Sequence, residues 1–161
     1  MKSSKGFSLL ETMVVVALAG ILSAIAIPQM IGQRNNAMLR DAVSMIQADF
    51  AKARSRAIRE NAFVVVIINT NTNTNAYRIF IDNGSGGGTA DNGTRDGNEI
   101  ILCDASLPAG IKISQTTFTG NITGFNGRGY STSKGTLTLL DSSGKSKTVN
   151  MNNRFGRITI T

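Results

Sequence analysis

Residues 7–27 read FSLLETMVVVALAGILSAIAI, and this stretch decides the fold. Only one of its side chains, that of Glu11, is ionisable. As an α-helix rising about 1.5 Å per residue, the stretch would be about 30 Å long, the thickness of a bilayer's hydrocarbon core. We therefore expect a transmembrane helix. Because a carboxylate inside such a helix is costly, Glu11 is a candidate functional residue.

The residues before this stretch do not form an ordinary secretory signal. They read MKSSKG, so the small residue Gly6 precedes the apolar run, whereas a secretory signal has its cleavage site after the run. Cleavage at Gly6 would keep the apolar helix in the mature protein. Because basic residues beside a span stay cytoplasmic, we expect the remainder of the chain on the periplasmic side.

The composition limits the chemistry that the chain can perform. The chain has 161 residues, and the part after the span is long enough for one soluble core. Its net charge is +7. It has no histidine, which excludes His-based triads and His metal sites. Its single cysteine, Cys103, cannot form an internal disulfide and has no identifiable base beside it. We therefore expect neither an enzyme nor a cofactor.

A second, amphipathic segment follows the span. Pro28 removes one backbone donor and should kink the helix without ending it. Beyond it, apolar residues recur every three or four positions, which predicts a helix with a narrow buried stripe. Asn61 is a plausible stop, so the helix is predicted from residue 7 to about residue 60. The stripe consists of Leu39, Val43, Ile46, Phe50, Ala53 and Ala57.

The rest of the chain predicts β structure. Residues 63–68 and 76–81 are rich in β-branched and aromatic side chains and flank a polar Asn/Thr repeat, which indicates a hairpin buried on both faces. The turn residues 142–145 predict a second hairpin. One covering helix and many short strands indicate an α+β fold with antiparallel sheets. The further strands are predicted at 99–103, 111–115, 122–125, 136–140, 147–151 and 157–160.

The N-terminal pattern of Gly6, Phe7, three further residues and Glu11 resembles the prepilin leader of type IV pilins and type II secretion pseudopilins. Pro28 stands where that family commonly has a kink. The resemblance implies a type IV pilin-like fold, cleavage after Gly6 by an aspartyl prepilin peptidase, and N-methylation of Phe7. It also implies that Glu11 neutralises the terminal amine of a neighbouring subunit in a filament. A pair between Glu11 and its own N-terminus is the alternative.

Within that class, four stretches resemble the GspH/FimT family of minor pilins and pseudopilins. They are ARSRAI at 53–58, the strand 63–68, FNGRG at 125–129 and FGRI at 155–158. The chain lacks the C-terminal cysteine pair that many major pilins have. This absence favours a minor subunit and leaves a disulfide-free major pilin open.

The resemblance divides the chain into a leader, residues 1–6, a transmembrane or filament-core helix, residues 7–27, and a periplasmic pilin-like domain, residues 28–161. It implies a minor structural subunit of a type IV pilus or a type II secretion filament. The subunit would span the inner membrane once and later enter a periplasmic or extracellular filament. Its partners would be other pilins or pseudopilins, the prepilin peptidase and the inner membrane. The sequence leaves the kind of filament open.

A basic C-terminal region offers an alternative function. Lys145, Lys147, Arg154 and Arg157 can bind a phosphate backbone. Some FimT-like minor pilins are DNA receptors with a Gly-Arg-x-Arg motif, and the corresponding residues 156–159, GRIT, lack the second arginine. The alternatives are a DNA receptor and a solvated edge strand.

Residues 82–99 read DNGSGGGTADNGTRDGNE. The carboxylates of Asp82, Asp91, Asp96 and Glu99 are oxygen ligands of the kind that Ca²⁺ prefers, but their spacing is not that of an EF-hand. Glycine and asparagine also simply make turns. We favour a mobile surface loop over a calcium site, and contact with a neighbouring subunit is a third hypothesis.

Overall fold

The computed structural model describes residues 8–151 and 158–161. By compactness the chain divides into one unit that ends at Asn36 and another that begins at Ala37. Helix α1 comprises Leu9–Glu60, so the predicted long helix is confirmed over these residues. The strands that follow are β1 Phe63–Ile68, β2 Tyr77–Asp82, β3 Ile101–Ala105, β4 Lys112–Thr116, β5 Ile122–Phe125, β6 Gly135–Leu140, β7 Ser146–Met151 and β8 Ile158–Ile160.

The strands form two antiparallel four-stranded sheets. The first has the order β3-β2-β1-β5 and the second the order β4-β6-β7-β8. Both predicted hairpins are confirmed, since β1 pairs with β2 and β6 pairs with β7. β1 also pairs with β5, which lies more than fifty residues further along the chain, with Val65 opposite Gly124. The α+β class with antiparallel sheets is therefore correct.

One hydrophobic cluster joins the second half of α1 to both sheets. All six residues of the predicted stripe are buried, together with Ala42 and Asp49. The Phe50 ring meets Tyr77 of β2 and Phe125 of β5 edge to face, with centroids 6.3 and 6.4 Å apart. Burying a side chain of this size stabilises the fold by about 1.5–3 kcal/mol. Val64, Val65 and Val66 are all buried, as expected for a strand covered on both faces.

The C-terminal end of α1 is closed by a backbone motif. Asn61 has a φ of 48°, in the left-handed region that asparagine tolerates. The N–H of Ala62 donates to the carbonyl of Ala57 at 3.2 Å, and the N–H of Asn61 donates to that of Ile58 at 3.4 Å. These are the two bonds of a Schellman cap. The predicted stop at Asn61 is confirmed.

Two glycines after β5 pack closely against this helix end. A methyl group at Gly127 would lie 2.9 Å from the carbonyl carbon of Asn61, and one at Gly129 would lie 2.7 Å from Cδ1 of Ile58. Two of the stretches that resemble the GspH/FimT family, 53–58 and 125–129, therefore come together here. Glycine is needed at positions 127 and 129 because a side chain there would lie too close to Asn61 or Ile58.

A buried carboxylate, which was not predicted, lies beside the apolar stripe of α1. Asp49 accepts a hydrogen bond from Tyr77 Oη at 2.7 Å and from Lys52 Nζ at 3.2 Å, and Cys103 Sγ lies 3.7 Å away. Burial, and then the bond to Asp49, raise the pKa of Tyr77. Tyr77 therefore stays protonated, and its hydrogen bond to Asp49 connects the first sheet to α1.

We predict that Gly127→Ala destabilises the domain by about 1–3 kcal/mol, because the added methyl overpacks against Asn61. Gly32→Ala is the matched control, since open space surrounds Gly32 within α1 and alanine favours helix. Urea unfolding of both variants in detergent micelles measures the difference. Equal stabilities would contradict the proposed close packing.

We predict that Tyr77→Phe lowers the free energy of unfolding by about 1.5–3 kcal/mol, because a buried charged acceptor loses its donor. Lys52→Gln removes the other partner of the same carboxylate. The Lys52 side chain is 79% exposed, so this change should lower the free energy of unfolding by less than about 1 kcal/mol. Thermal unfolding followed by circular dichroism compares them. The role given to Tyr77 is wrong if the lysine variant is the less stable one.

Candidate assembly segment

The first half of α1 presents apolar side chains on all sides. Every residue from 8 to 31 is exposed, including thirteen large hydrophobic ones. Among the described residues, α1 is the one helix long and apolar enough to cross a membrane. A helix that is apolar all round needs lipid or other helices as its surroundings. The exposed large side chains are Leu9, Leu10, Met13, Val14, Val15, Val16, Leu18, Ile21, Leu22, Ile25, Ile27, Met30 and Ile31.

Ser8 caps the start of this helix. Its Oγ accepts a hydrogen bond from the N–H of Glu11 at 3.2 Å, which satisfies one of the free donors of the first turn. Glu11 stands three residues after the cap, where a carboxylate is favoured by the helix dipole. The pattern Ser-x-x-Glu at residues 8–11 is the sequence signal for this cap, which the apolar stretch alone does not indicate.

The hydroxyl groups of Thr12 and Ser23 in the apolar half bind to carbonyl groups of the helix itself. Thr12 Oγ1 donates to the carbonyl of Leu9 at 2.9 Å, and Ser23 Oγ donates to that of Ala19 at 2.7 Å. Glu11 differs, because within residues 8–151 and 158–161 it has no ion pair. Glu11 is also the one ionisable side chain of residues 8–31.

Three residues predicted for processing and bending stay untested. Gly6 and Phe7 lie outside the described residues, so the pairing of Glu11 with a terminal amine remains a prediction. Pro28 lies inside α1, which continues to Glu60. The kink at Pro28 also remains a prediction.

The basic region is only partly described. Lys145 lies in the exposed turn between β6 and β7. Lys147, on β7, lines a cavity of about 230 Å³ together with Arg40 and Ile160. Arg154 and Arg157 lie outside the described residues, so the four-residue DNA-binding patch remains a prediction.

The loop between β2 and β3 is built as a hydrogen-bonded unit. The N–H of Thr89 donates to both oxygens of Asp96 at 3.1 Å, and the N–H of Asn98 donates to the carbonyl of Ser85 at 2.8 Å. A methyl group at Gly97 would lie 2.7 Å from the backbone nitrogen of Gly88. Gly97 therefore allows two backbone segments of the loop to lie close together. This close contact was not predicted from the sequence.

The calcium hypothesis finds no ligand set. In the part of the chain that the structure describes, no three carboxylate or thiol side chains are grouped so that they can hold a metal ion. Of the four candidate ligands, Asp82, Asp96 and Glu99 each accept hydrogen bonds from backbone N–H groups of the loop. Asp91 is exposed and lines a cavity at the end of α1.

Cys103 is poorly suited to nucleophilic chemistry. Burial raises the pKa of its thiol, and the charge of Asp49 raises it further. A thiol with a raised pKa carries little thiolate at neutral pH. Its contact with Asp49 gives it a structural role in the core.

The sequence matches two known families. Residues 42–154 match the family described as Type II transport protein GspH, and residues 1–27 match the prokaryotic N-terminal methylation motif. A fimbrial protein of Pseudomonas aeruginosa is 46% identical over 65 residues, which are 40% of this chain and 42% of that protein. The type IV major fimbrial protein FimA of Dichelobacter nodosus is 46% identical over 56 residues, 34% of this chain and 33% of its own length. The matches thus span well under half of these curated relatives.

Two kinds of solved structure share the fold. The type IV minor pilin FimU of Pseudomonas aeruginosa has a TM-score of 0.56 at 17% identity, covering 81% of this chain and 92% of that one. The minor pseudopilin EpsH from the type 2 secretion system of Vibrio cholerae has a TM-score of 0.53 at 11% identity, covering 76% and 95%. At these identities the likeness concerns the fold alone. Because the family match covers most of its length, the chain belongs to the family of Type II transport protein GspH.

Proposed function

We propose that this chain is a minor structural subunit of a type IV pilus or a type II secretion filament, without catalytic activity. It is cleaved after Gly6, methylated on the amine of Phe7, and assembled with other pilins or pseudopilins through α1. Before assembly it spans the inner membrane once, with the folded domain in the periplasm. The prepilin peptidase and the membrane are then its partners before it reaches the filament.

The exposed apolar half of α1 is the observation that supports this proposal best. A helix apolar on every side continues directly into a helix that is half buried under two sheets. The first half needs lipid before assembly and related helices afterwards. The methylation motif over residues 1–27 supports processing at its start.

The charge of Glu11 would favour the transfer of this segment from the membrane to the filament. An unpaired carboxylate is costly in hydrocarbon, and a neighbouring subunit's terminal amine would compensate its charge. The first turn, capped by Ser8, holds Glu11 near the helix start, where such an amine would approach. The energy of this pair would then favour the filament over the membrane.

The kind of filament can be separated genetically. A pilus subunit and a secretion pseudopilin share this fold, as the likeness to both FimU and EpsH illustrates. Deletion of the gene would abolish or reduce piliation in the first case and protein secretion in the second. Retention of both phenotypes would contradict the proposed function.

We predict that Glu11→Ala lowers incorporation into filaments by at least about a hundredfold, because a lost buried ion pair costs about 3–5 kcal/mol. Membrane insertion should be unchanged, since the span becomes more apolar. Immunoblots of sheared filaments and of membranes measure the two quantities. Glu60→Gln is the control, because it removes an exposed carboxylate from the other end of α1. Wild-type recovery of the Glu11 variant in filaments would refute the role given to it.

We predict that the mature protein lacks residues 1–6 and carries one methyl group on Phe7. Gly6→Val should block cleavage, because a branched side chain occupies the position where the motif has glycine. Intact-mass spectrometry of membrane-extracted protein distinguishes the two forms. A wild-type protein that retains Met1 would contradict the proposed processing.

A further inference from the structure

Asp82 and Glu99 face each other at the base of the loop 83–98. The N–H of Ile81 donates to the carbonyl of Ile100 at 3.0 Å, which places the next pair, Asp82 and Glu99, opposite each other. The carboxyl groups of Asp82 and Glu99 lie within hydrogen-bonding reach of each other. The two residues are only 0% and 1% exposed.

Three loop N–H groups bind this pair. Asp82 Oδ2 accepts from Gly93 at 2.7 Å, Glu99 Oε1 from Gly84 at 3.0 Å, and Glu99 Oε2 from Asp96 at 3.2 Å. Among the described residues, the fourth oxygen, Asp82 Oδ1, is buried and has no hydrogen-bond partner of good geometry, although the backbone N–H of Asp91 lies near the same carboxyl group. A buried acceptor without a donor is costly, so this oxygen needs a proton or a cation.

Within residues 8–151 and 158–161, no basic side chain lines the cavity beside the pair. Glu60 at the end of α1 and Asp91 of the loop line a cavity of about 370 Å³ together with Asp82. Arg56 on α1 is engaged with Glu60, with Nε 3.1 Å from Oε1. Two ionised carboxylates in contact repel each other. Burial raises the pKa of Asp82, and the charge of Glu99 raises it further, against the lowering effect of nearby backbone N–H groups.

We infer that Asp82 keeps a proton and donates it to Glu99 in a carboxyl–carboxylate hydrogen bond, and that this bond holds the loop 83–98 closed against the end of β2. The proton leaves to solvent as the pH rises, and the two carboxylates then carry two facing negative charges. Because Asp82 binds the proton more tightly when the loop is closed, closure is most stable below the ordinary pKa of aspartate. This stabilisation is lost as the pH rises through the raised pKa of Asp82.

Amide hydrogen exchange of the full-length chain in detergent micelles tests this inference. The reporters are the N–H groups of Gly84, Gly93 and Asp96, which the two carboxylates bind. Rates are corrected for the intrinsic pH dependence of exchange, between about pH 4 and about pH 8. We expect protection of the reporters to fall by up to about tenfold for each pH unit between the ordinary and the raised pKa. Unchanged corrected protection across this range would overturn the inference.

Two variants separate the proton on Asp82 from other causes. In Asp82→Asn the amide is a permanent donor to Glu99, so protection should become independent of pH. Asp104→Asn is the matched control, because it neutralises an exposed carboxylate of β3 that pairs with Arg78 at 2.8 Å, and it should retain the wild-type profile. Should Asp82→Asn fail to fold, Glu99→Gln is the second variant: its amide can donate to Asp82 at the expense of one bond from Gly84 or Asp96, so the protection of the Gly93 N–H should become independent of pH.

A further comparison, with excess calcium and with EDTA, addresses a bound cation. Protection that is independent of calcium at every pH is the expected result. Protection that follows calcium instead of pH would overturn the inference, as would a wild-type pH profile in Asp82→Asn.

Discussion

The packing of one face of α1 against two sheets is the interaction on which the domain depends. Each sheet alone would expose an apolar face to water. In this fold, α1 covers the apolar faces of both sheets. The ring of Phe50 on α1 contacts Tyr77 of β2 and Phe125 of β5, two strands that are not neighbours in the sheet. One side chain of the helix therefore packs against two separate strands. The Asp49–Tyr77 hydrogen bond adds direction to a contact that is otherwise non-specific.

The same helix has two halves with opposite requirements. Beyond residue 38 its apolar residues form a stripe that the sheets cover, whereas residues 8–31 are exposed on all sides. The second half stabilises a folded domain, and the first half has no partner within the described chain. This division fits a family of filament subunits, because most of the exposed large hydrophobic side chains lie in the first half of α1.

The sequence predicted those features that follow from local pattern. The stripe from Leu39 to Ala57, the stop at Asn61 and the strands were recognisable because periodicity and turn residues lie close together in the chain. The buried role of Asp49 was not, since its partner Tyr77 is 28 residues away and a lone carboxylate on a helix usually faces water. The hydrogen-bonded structure within the loop 83–98 was not predicted for a similar reason: its glycines indicate turns, and only the pairing of Ile81 with Ile100 brings Asp82 and Glu99 together.

The order of the first sheet has a consequence for export. β1 is the most apolar strand, and it gains its second neighbour only when β5 arrives more than fifty residues later in the chain. Until then Val64–Val66 form one free edge of a growing sheet, and such edges attract the strands of other molecules. A chain that emerges with its N-terminus anchored in a membrane would be spaced apart from its copies during this interval. Anchoring would in that way protect the unfinished domain from aggregation before it has any part in assembly.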